Sequence, residues 1–114
     1  MREWRYPFAL LGIVFVLIGY ALWPKHHPIP VLIYHDVATS TQMHDSYTVE
    51  TTLLARELDH LKSEGYTPLS FATATTLRET HQLPKKPIII SFDDALPGQR
   101  LALDMLKARE MPAT

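Results

Sequence analysis

One long apolar run stands apart from a series of short ones along this chain. Residues 8–23 read Phe-Ala-Leu-Leu-Gly-Ile-Val-Phe-Val-Leu-Ile-Gly-Tyr-Ala-Leu-Trp, carry no charge, and would be apolar on every face of a helix. Further on, Ile29-Pro-Val-Leu-Ile-Tyr34 and Ile88-Ile-Ile-Ser-Phe92 are short, β-branched and bounded by proline or polar residues. Such runs predict strands buried on both faces, as in a parallel sheet. Residues 36–48 are polar and predict a loop. Leu54, Leu58 and Leu61 then recur at helical spacing, with Glu57, Asp59, Lys62 and Glu64 off the stripe, which predicts a helix over 50–64. Gly65 stands where a C-terminal cap prefers glycine.

Residues 67–70 predict a short extended piece, and Ser70 is placed to cap a second helix over 71–81, built around Phe71, Ala74 and Leu77. A loop at 83–87 leads into the strand at 88–92. After Leu96-Pro-Gly98 a third helix is expected over 99–110, with Leu103, Met105 and Leu106 on its apolar side. Met111-Pro-Ala-Thr114 predicts the entry to another strand. Strand and helix alternate, so the class is α/β, with parallel strands joined by crossover helices. Two or three parallel strands leave open edges and an uncovered face, which is not expected of a finished fold.

The run at 8–23 changes how the rest is placed. It has two readings, a transmembrane signal anchor or a cleaved signal peptide, and together they assign residues 1–23 to one segment. The run sits at the short end of the ~20 residues that span a bilayer as a helix. Trp4, Tyr6, Tyr20 and Trp23 flank it as interfacial aromatics do, while Gly19 and Ala21 offer the small residues of a cleavage site. Arg2 and Arg5 precede it, so under both readings the N-terminus faces the cytoplasm and everything after Trp23 is exported, to the periplasmic or extracellular side. Residues 24–28, Pro-Lys-His-His-Pro, read as a linker, and His26 and His27 as its solvated residues. Residues 29–114 are left for the domain, a size that buries only about 60–70% of its unfolded surface.

The 114 residues carry a formal net charge of −1 with acids and bases interspersed, which excludes a nucleic-acid surface of clustered Lys and Arg. The absence of Cys excludes disulfides and thiolate metal sites. His60, between Leu58 and Leu61, reads as a helix-flank residue.

In parallel α/β folds, functional groups gather at the C-terminal ends of strands. Two polar clusters stand at such ends: His35-Asp36 after the first long strand and Asp93-Asp94 after the last. Parallel strands would bring both to one rim. Adjacent carboxylates repel unless a cation offsets one of them, which leaves its neighbour able to act as a base. The other reading is that Asp93 and Asp94 merely cap the following turn and helix.

Several elements occur in a telling order: Ile33-Tyr-His-Asp-Val37, Leu58-(x)2-Leu-Lys-(x)2-Gly-Tyr66, Leu69-Ser-Phe71, Leu83-Pro-Lys-Lys-Pro-Ile-Ile-Ile-Ser-Phe-Asp-Asp94 and Pro112-Ala-Thr114. Together they resemble the start of a polysaccharide deacetylase catalytic domain, the NodB-homology type of carbohydrate esterase family 4, over residues 29–114. The resemblance implies the N-terminal part of a distorted (β/α) barrel, preceded here by the single transmembrane or signal helix. It also implies removal of acetyl groups from N-acetylated polysaccharide with a divalent metal, zinc or a similar ion. The family's first motif, Thr/Ser-Phe-Asp-Asp-Gly, reads Ser91-Phe-Asp-Asp-Ala95 here. By that match Asp93 is the general base and Asp94 a metal ligand, and Tyr34, His35 and Asp36 lie near the site in roles the resemblance does not fix.

Two departures follow. Ala95 stands in place of the motif glycine, and strains the turn by about 1 kcal/mol or more if that backbone needs a positive φ. The family's His-Ser/Thr-(x)2–3-His motif, which supplies two metal ligands, is absent from this sequence, so no high-affinity metal site is expected of the chain alone. Three functional expectations result. The chain is the front part of an extracytoplasmic deacetylase, inactive by itself; or a membrane-tethered pseudoenzyme or carbohydrate-binding module; or the remnant of an interrupted gene.

Overall fold

The computed structural model describes residues 6–23, 28–42 and 45–114. The expected linker falls outside them except for Pro28, as do His26, His27, Arg2, Trp4 and Arg5. The apolar run forms helix α1, Tyr6–Leu22, whose described side chains from Gly12 to Trp23 are all exposed. The expectation of a membrane-crossing helix is not supported: among the described residues no helix is long and apolar enough to cross a membrane. At 17 residues and 1.5 Å per residue, α1 reaches about 26 Å, short of a hydrocarbon core of about 30 Å.

The sheet is built on the strand with the densest β-branched run. Strand β5, Pro87–Phe92, lies between β1, Val31–Tyr34, and the two-residue β4, Thr67–Pro68, and both neighbours run parallel to it. Successive side chains of a strand point to opposite faces. Ile88 and Ile90 therefore pack with Leu54, Leu58 and Leu106, while Ile89 packs with Leu69 and Ala74. The first face is covered by α2, Thr51–Ser63, and α4, Gln99–Ala108, and the second by α3, Phe71–Glu79. Leu54, Leu58 and Ile90 are fully buried, and each such side chain contributes about 1.5–3 kcal/mol. On the outside of this layer Arg109 clasps Asp59 through two hydrogen bonds of 2.7 and 3.1 Å, joining α4 to α2.

Two expectations need correcting. Strand β1 is not buried on both faces, since Val31 and Ile33 are 39% and 57% exposed while Leu32 and Tyr34 turn to the core. β1 is an edge strand, and the short α3 covers β5 through Ala74 and Ile89 but leaves an open cavity against Val31. The stretch 36–48 is not wholly loop either. Asp36–Ala38 (β2) and Thr48–Glu50 (β3) pair in parallel as a second, two-stranded sheet, joined through a 3-10 turn at Ser40–Gln42. Burial of Val37, Ala38 and Thr48 against the α2–α4 layer holds this pair in place.

The three crossover helices end alike. In α2 the Gly65 N–H donates to Lys62 O and the Tyr66 N–H to Leu61 O, with Gly65 at φ 76°. The same crossed pair closes α3 around His81 and α4 around Glu110, both at φ 56°. Ser70 caps α3 as expected, its Oγ accepting the Thr73 N–H at 3.1 Å. Helix α3 ends at Glu79, two residues earlier than the spacing predicts; Thr75, Thr76 and Thr80 hydroxyls bond back to carbonyls one turn earlier, a habit that weakens helices. The expected strand entry is visible in two ladder bonds: Thr114 N–H donates to Ile90 O and Phe92 N–H to Thr114 O, both at 2.8 Å.

Candidate active site

The parallel pairing of β1 with β5 decides where the polar clusters go. Tyr34 lies beside Phe92, so His35-Asp36 and Asp93-Asp94 leave the sheet side by side. The ladder continues one step beyond the strands, with the Asp93 N–H donating to Tyr34 O at 2.9 Å. Gln99, the first residue of α4, ties the two exits together, its Nε2 donating to His35 O at 2.7 Å and also to Asp93 O.

Asp93 and Asp94 are exposed, and the Ser91 hydroxyl donates to Asp93 Oδ1 at 3.1 Å, which orients that carboxylate across the strand end. After Asp93 the chain turns through two consecutive left-handed residues, Asp94 at φ 66° and Ala95 at φ 47°. Aspartate tolerates this region, whereas for alanine it costs about 1–2 kcal/mol. The strain expected at Ala95 is therefore present. Gly98 then brings the start of α4 against β2, so closely that a Cβ there would collide with Val37 O and Asp36 Oδ1.

Across the rim, His35 and Asp36 are half-buried. Asp36 Oδ1 accepts the Val37 N–H at 2.9 Å. The His35 ring lies against the Tyr47 ring, with centroids 5.5 Å apart and planes tilted by 55°. Tyr34 turns toward α2 instead, its hydroxyl donating to Glu57 Oε2 at 2.8 Å and its ring stacking on Phe92 at 5.3 Å. Burial first, and then the bond to the Glu57 carboxylate, push the Tyr34 hydroxyl well above the ordinary tyrosine range. Beside Ala95 an open, mainly apolar groove of about 580 Å³ runs between α4 and the end of β5, lined by Phe92, Leu96, Leu103 and Leu106.

A zinc site takes three or four nitrogen, oxygen or sulfur ligands. Among the described residues no group of three or more His, Asp or Glu side chains comes together to hold a metal. Asp94 supplies one carboxylate at the rim, and the other described residues do not complete a site around it.

Gln99, Tyr47 and Glu57 are not singled out by the sequence. Only the position of Gln99, directly after the turn glycine and at a helix start facing the rim, carried a signal for it.

No protein-family model matches the chain. The chain is 30% identical over 76 residues to the poly-beta-1,6-N-acetyl-D-glucosamine N-deacetylase of Escherichia coli, a match that spans 63% of this chain and 11% of that protein. Its fold superimposes on the Streptococcus pyogenes deacetylase PplD, solved with acetate, at a TM-score of 0.65 and 28% identity, over 75% of this chain and 40% of that one. A polysaccharide deacetylase from Bacillus cereus aligns at a TM-score of 0.59 and 28% identity, over 72% of this chain and 25% of its own. The chain thus spans between 11% and 40% of the length of these proteins. Parallel order, paired acids at the strand end and likeness in both sequence and fold agree: the chain carries part of a polysaccharide deacetylase domain.

Proposed function

We propose that these residues are the front part of a hydrolase that removes acetyl groups from an N-acetylated polysaccharide outside the cytoplasmic membrane. The observation that carries the proposal is the shared rim, where two clusters more than fifty residues apart in sequence leave adjacent parallel strands and are tied by Gln99. Asp93 is the general base, an exposed carboxylate oriented by Ser91 and free of the core, positioned to take a proton from water at the rim. Asp94 is the carboxylate offered to a divalent metal, zinc by resemblance. His35 and Asp36 wall the opposite side.

That no metal site is complete among the described residues fits a division of labour. These residues supply the base and one ligand, and the remaining ligands belong to other residues of such a domain. The placement outside the membrane is supported by the uncharged run at 8–23, by its flanking aromatics, and by Arg2 and Arg5 on its N-terminal side. In this proposal the run at 8–23 directs export, as an anchor or as a cleaved signal.

A second reading draws on Ala95 and on the missing ligands: a tethered module that binds the glycan without hydrolysing it. Acetate release separates the two only in a protein that completes the metal site, but both require the rim to receive the sugar. The test is a titration of the full chain, in mild detergent, with an oligomer of β-1,6-linked N-acetylglucosamine, followed by amide NMR. Shifts should gather at residues 35–36 and 93–99. No shifts, or shifts confined to α1, would overturn the proposal.

A further inference from the structure

Tyr47 stands out among the exposed aromatic side chains because it is exposed and yet held. Its side chain is 70% exposed. Its backbone is fixed from two sides: the N–H donates to Asp45 Oδ1 at 2.9 Å, and the carbonyl accepts the Asp36 N–H at 3.4 Å. Asp45 Oδ1 also accepts the Thr48 hydroxyl at 2.7 Å, and Thr48 is buried at the start of β3. One side of the ring rests on His35. Scattered exposed aromatics are ordinary on protein surfaces and need no explanation. A tyrosine pinned by a turn and backed by a histidine that leaves the sheet beside Asp93 is a different case. Ordering the ring before a ligand arrives lowers the entropy cost of using it.

A pyranose ring has an apolar face of C–H bonds and a polar edge of hydroxyls. It is recognised by an aromatic face together with polar groups at the margin. Tyr47 presents such a face, with His35 and Asp36 at its margin, and Gln99 ties the His35 carbonyl to that of Asp93. We infer that Tyr47 is a stacking platform for one sugar ring of the polysaccharide, adjacent to the sugar whose acetamide faces Asp93 and Asp94. This inference rests on the deacetylase reading of the rim, and makes Tyr47 a specificity-determining residue of that site.

The test compares the affinity of the full chain and three variants for a β-1,6-linked N-acetylglucosamine oligomer. Tyr47→Ala should weaken binding by about three- to tenfold, the size of one aromatic contact. Tyr47→Phe should bind as the wild type does, since stacking uses the ring face and not the hydroxyl. Phe71→Ala, which removes another half-exposed ring on the opposite face of the sheet near Ile29 and Val31, should change nothing. Because the Tyr47 ring is largely solvent-exposed, the fold does not depend on it. Unchanged affinity in Tyr47→Ala, with the wild type binding, would overturn the inference and leave the deacetylase reading standing. Equal losses in Tyr47→Ala and Tyr47→Phe would also overturn it, since the hydroxyl would then be the contact. Absence of binding by the wild type would overturn the inference and the deacetylase reading together.

Discussion

Ala95 occupies a left-handed conformation, φ 47°, directly after Asp94 at φ 66°, so its Cβ crowds the backbone at the point where the chain leaves β5. Glycine has no such penalty but loses more entropy on folding. The balance predicts that Ala95→Gly stabilises the fold by about 0.5–1 kcal/mol, seen as a melting temperature higher by about 2–6 °C. An unchanged or lower melting temperature would mean that the turn is not left-handed. Tyr34 makes a second prediction at this scale. Its folded pKa lies above the unfolded value of about 10, so the folded state holds the proton more tightly. The contribution is complete below about pH 10 and is lost as pH rises from there toward the folded pKa. Stability should therefore fall above about pH 10, and Tyr34→Phe should flatten that alkaline limb in a urea-melt series. The same alkaline loss in the variant would rule Tyr34 out as its source.

At the scale of elements, the α2–β5–α4 layer carries the stability and Gly98 fixes where α4 begins. Leu58 is fully buried between α2 and the sheet, so Leu58→Ala should cost about 2–5 kcal/mol, a large share of the roughly 5–15 kcal/mol of a typical domain. Gly98→Ala would press a methyl group into Val37 O, a main-chain atom that β2 holds in place. A loss of about 1–3 kcal/mol is expected, together with altered amide shifts at Gln99, whose side chain ties the rim. A variant as stable as the parent would show that β2 and the α4 start are not in contact. The helices and β5 were legible because their apolar positions repeat at 3.6 or gather in a short β-branched run, Ile88-Ile-Ile90. The β2–β3 pair was not: three-residue strands give no period to detect, and only burial against α2 and α4 reveals them. β1 misled for a related reason. An unbroken apolar run looks the same in a central strand and in an edge strand whose outer face is bare, and only the sheet order separates them.

For the whole molecule, the candidate site is legible to the extent that it depends on strand order. The placement of Asp93, Asp94, His35 and Asp36 at one edge was readable because strand ends in a parallel sheet share an edge. The positions of Gln99 and Tyr47 beside His35 were not, since they depend on how a helix start and a turn approach the end of β1. Tyr34 was readable only by adjacency, and its hydroxyl in fact serves the β1–α2 interface through Glu57. Among the described residues no metal site is complete, and the proposal predicts of the chain by itself that it should release no acetate from the acetylated oligomer, with or without added zinc. Release above the solvent rate would show that these residues suffice. All of this depends on one arrangement, the adjacency of the β1 and β5 ends. The most direct test is the trans-hydrogen-bond scalar coupling between the Asp93 amide nitrogen and the Tyr34 carbonyl carbon, measured by NMR on the full chain. A resolved coupling, with the Asp93 amide protected from exchange, is the predicted result. A freely exchanging Asp93 amide with no coupling to Tyr34 would contradict the shared rim and the function built on it.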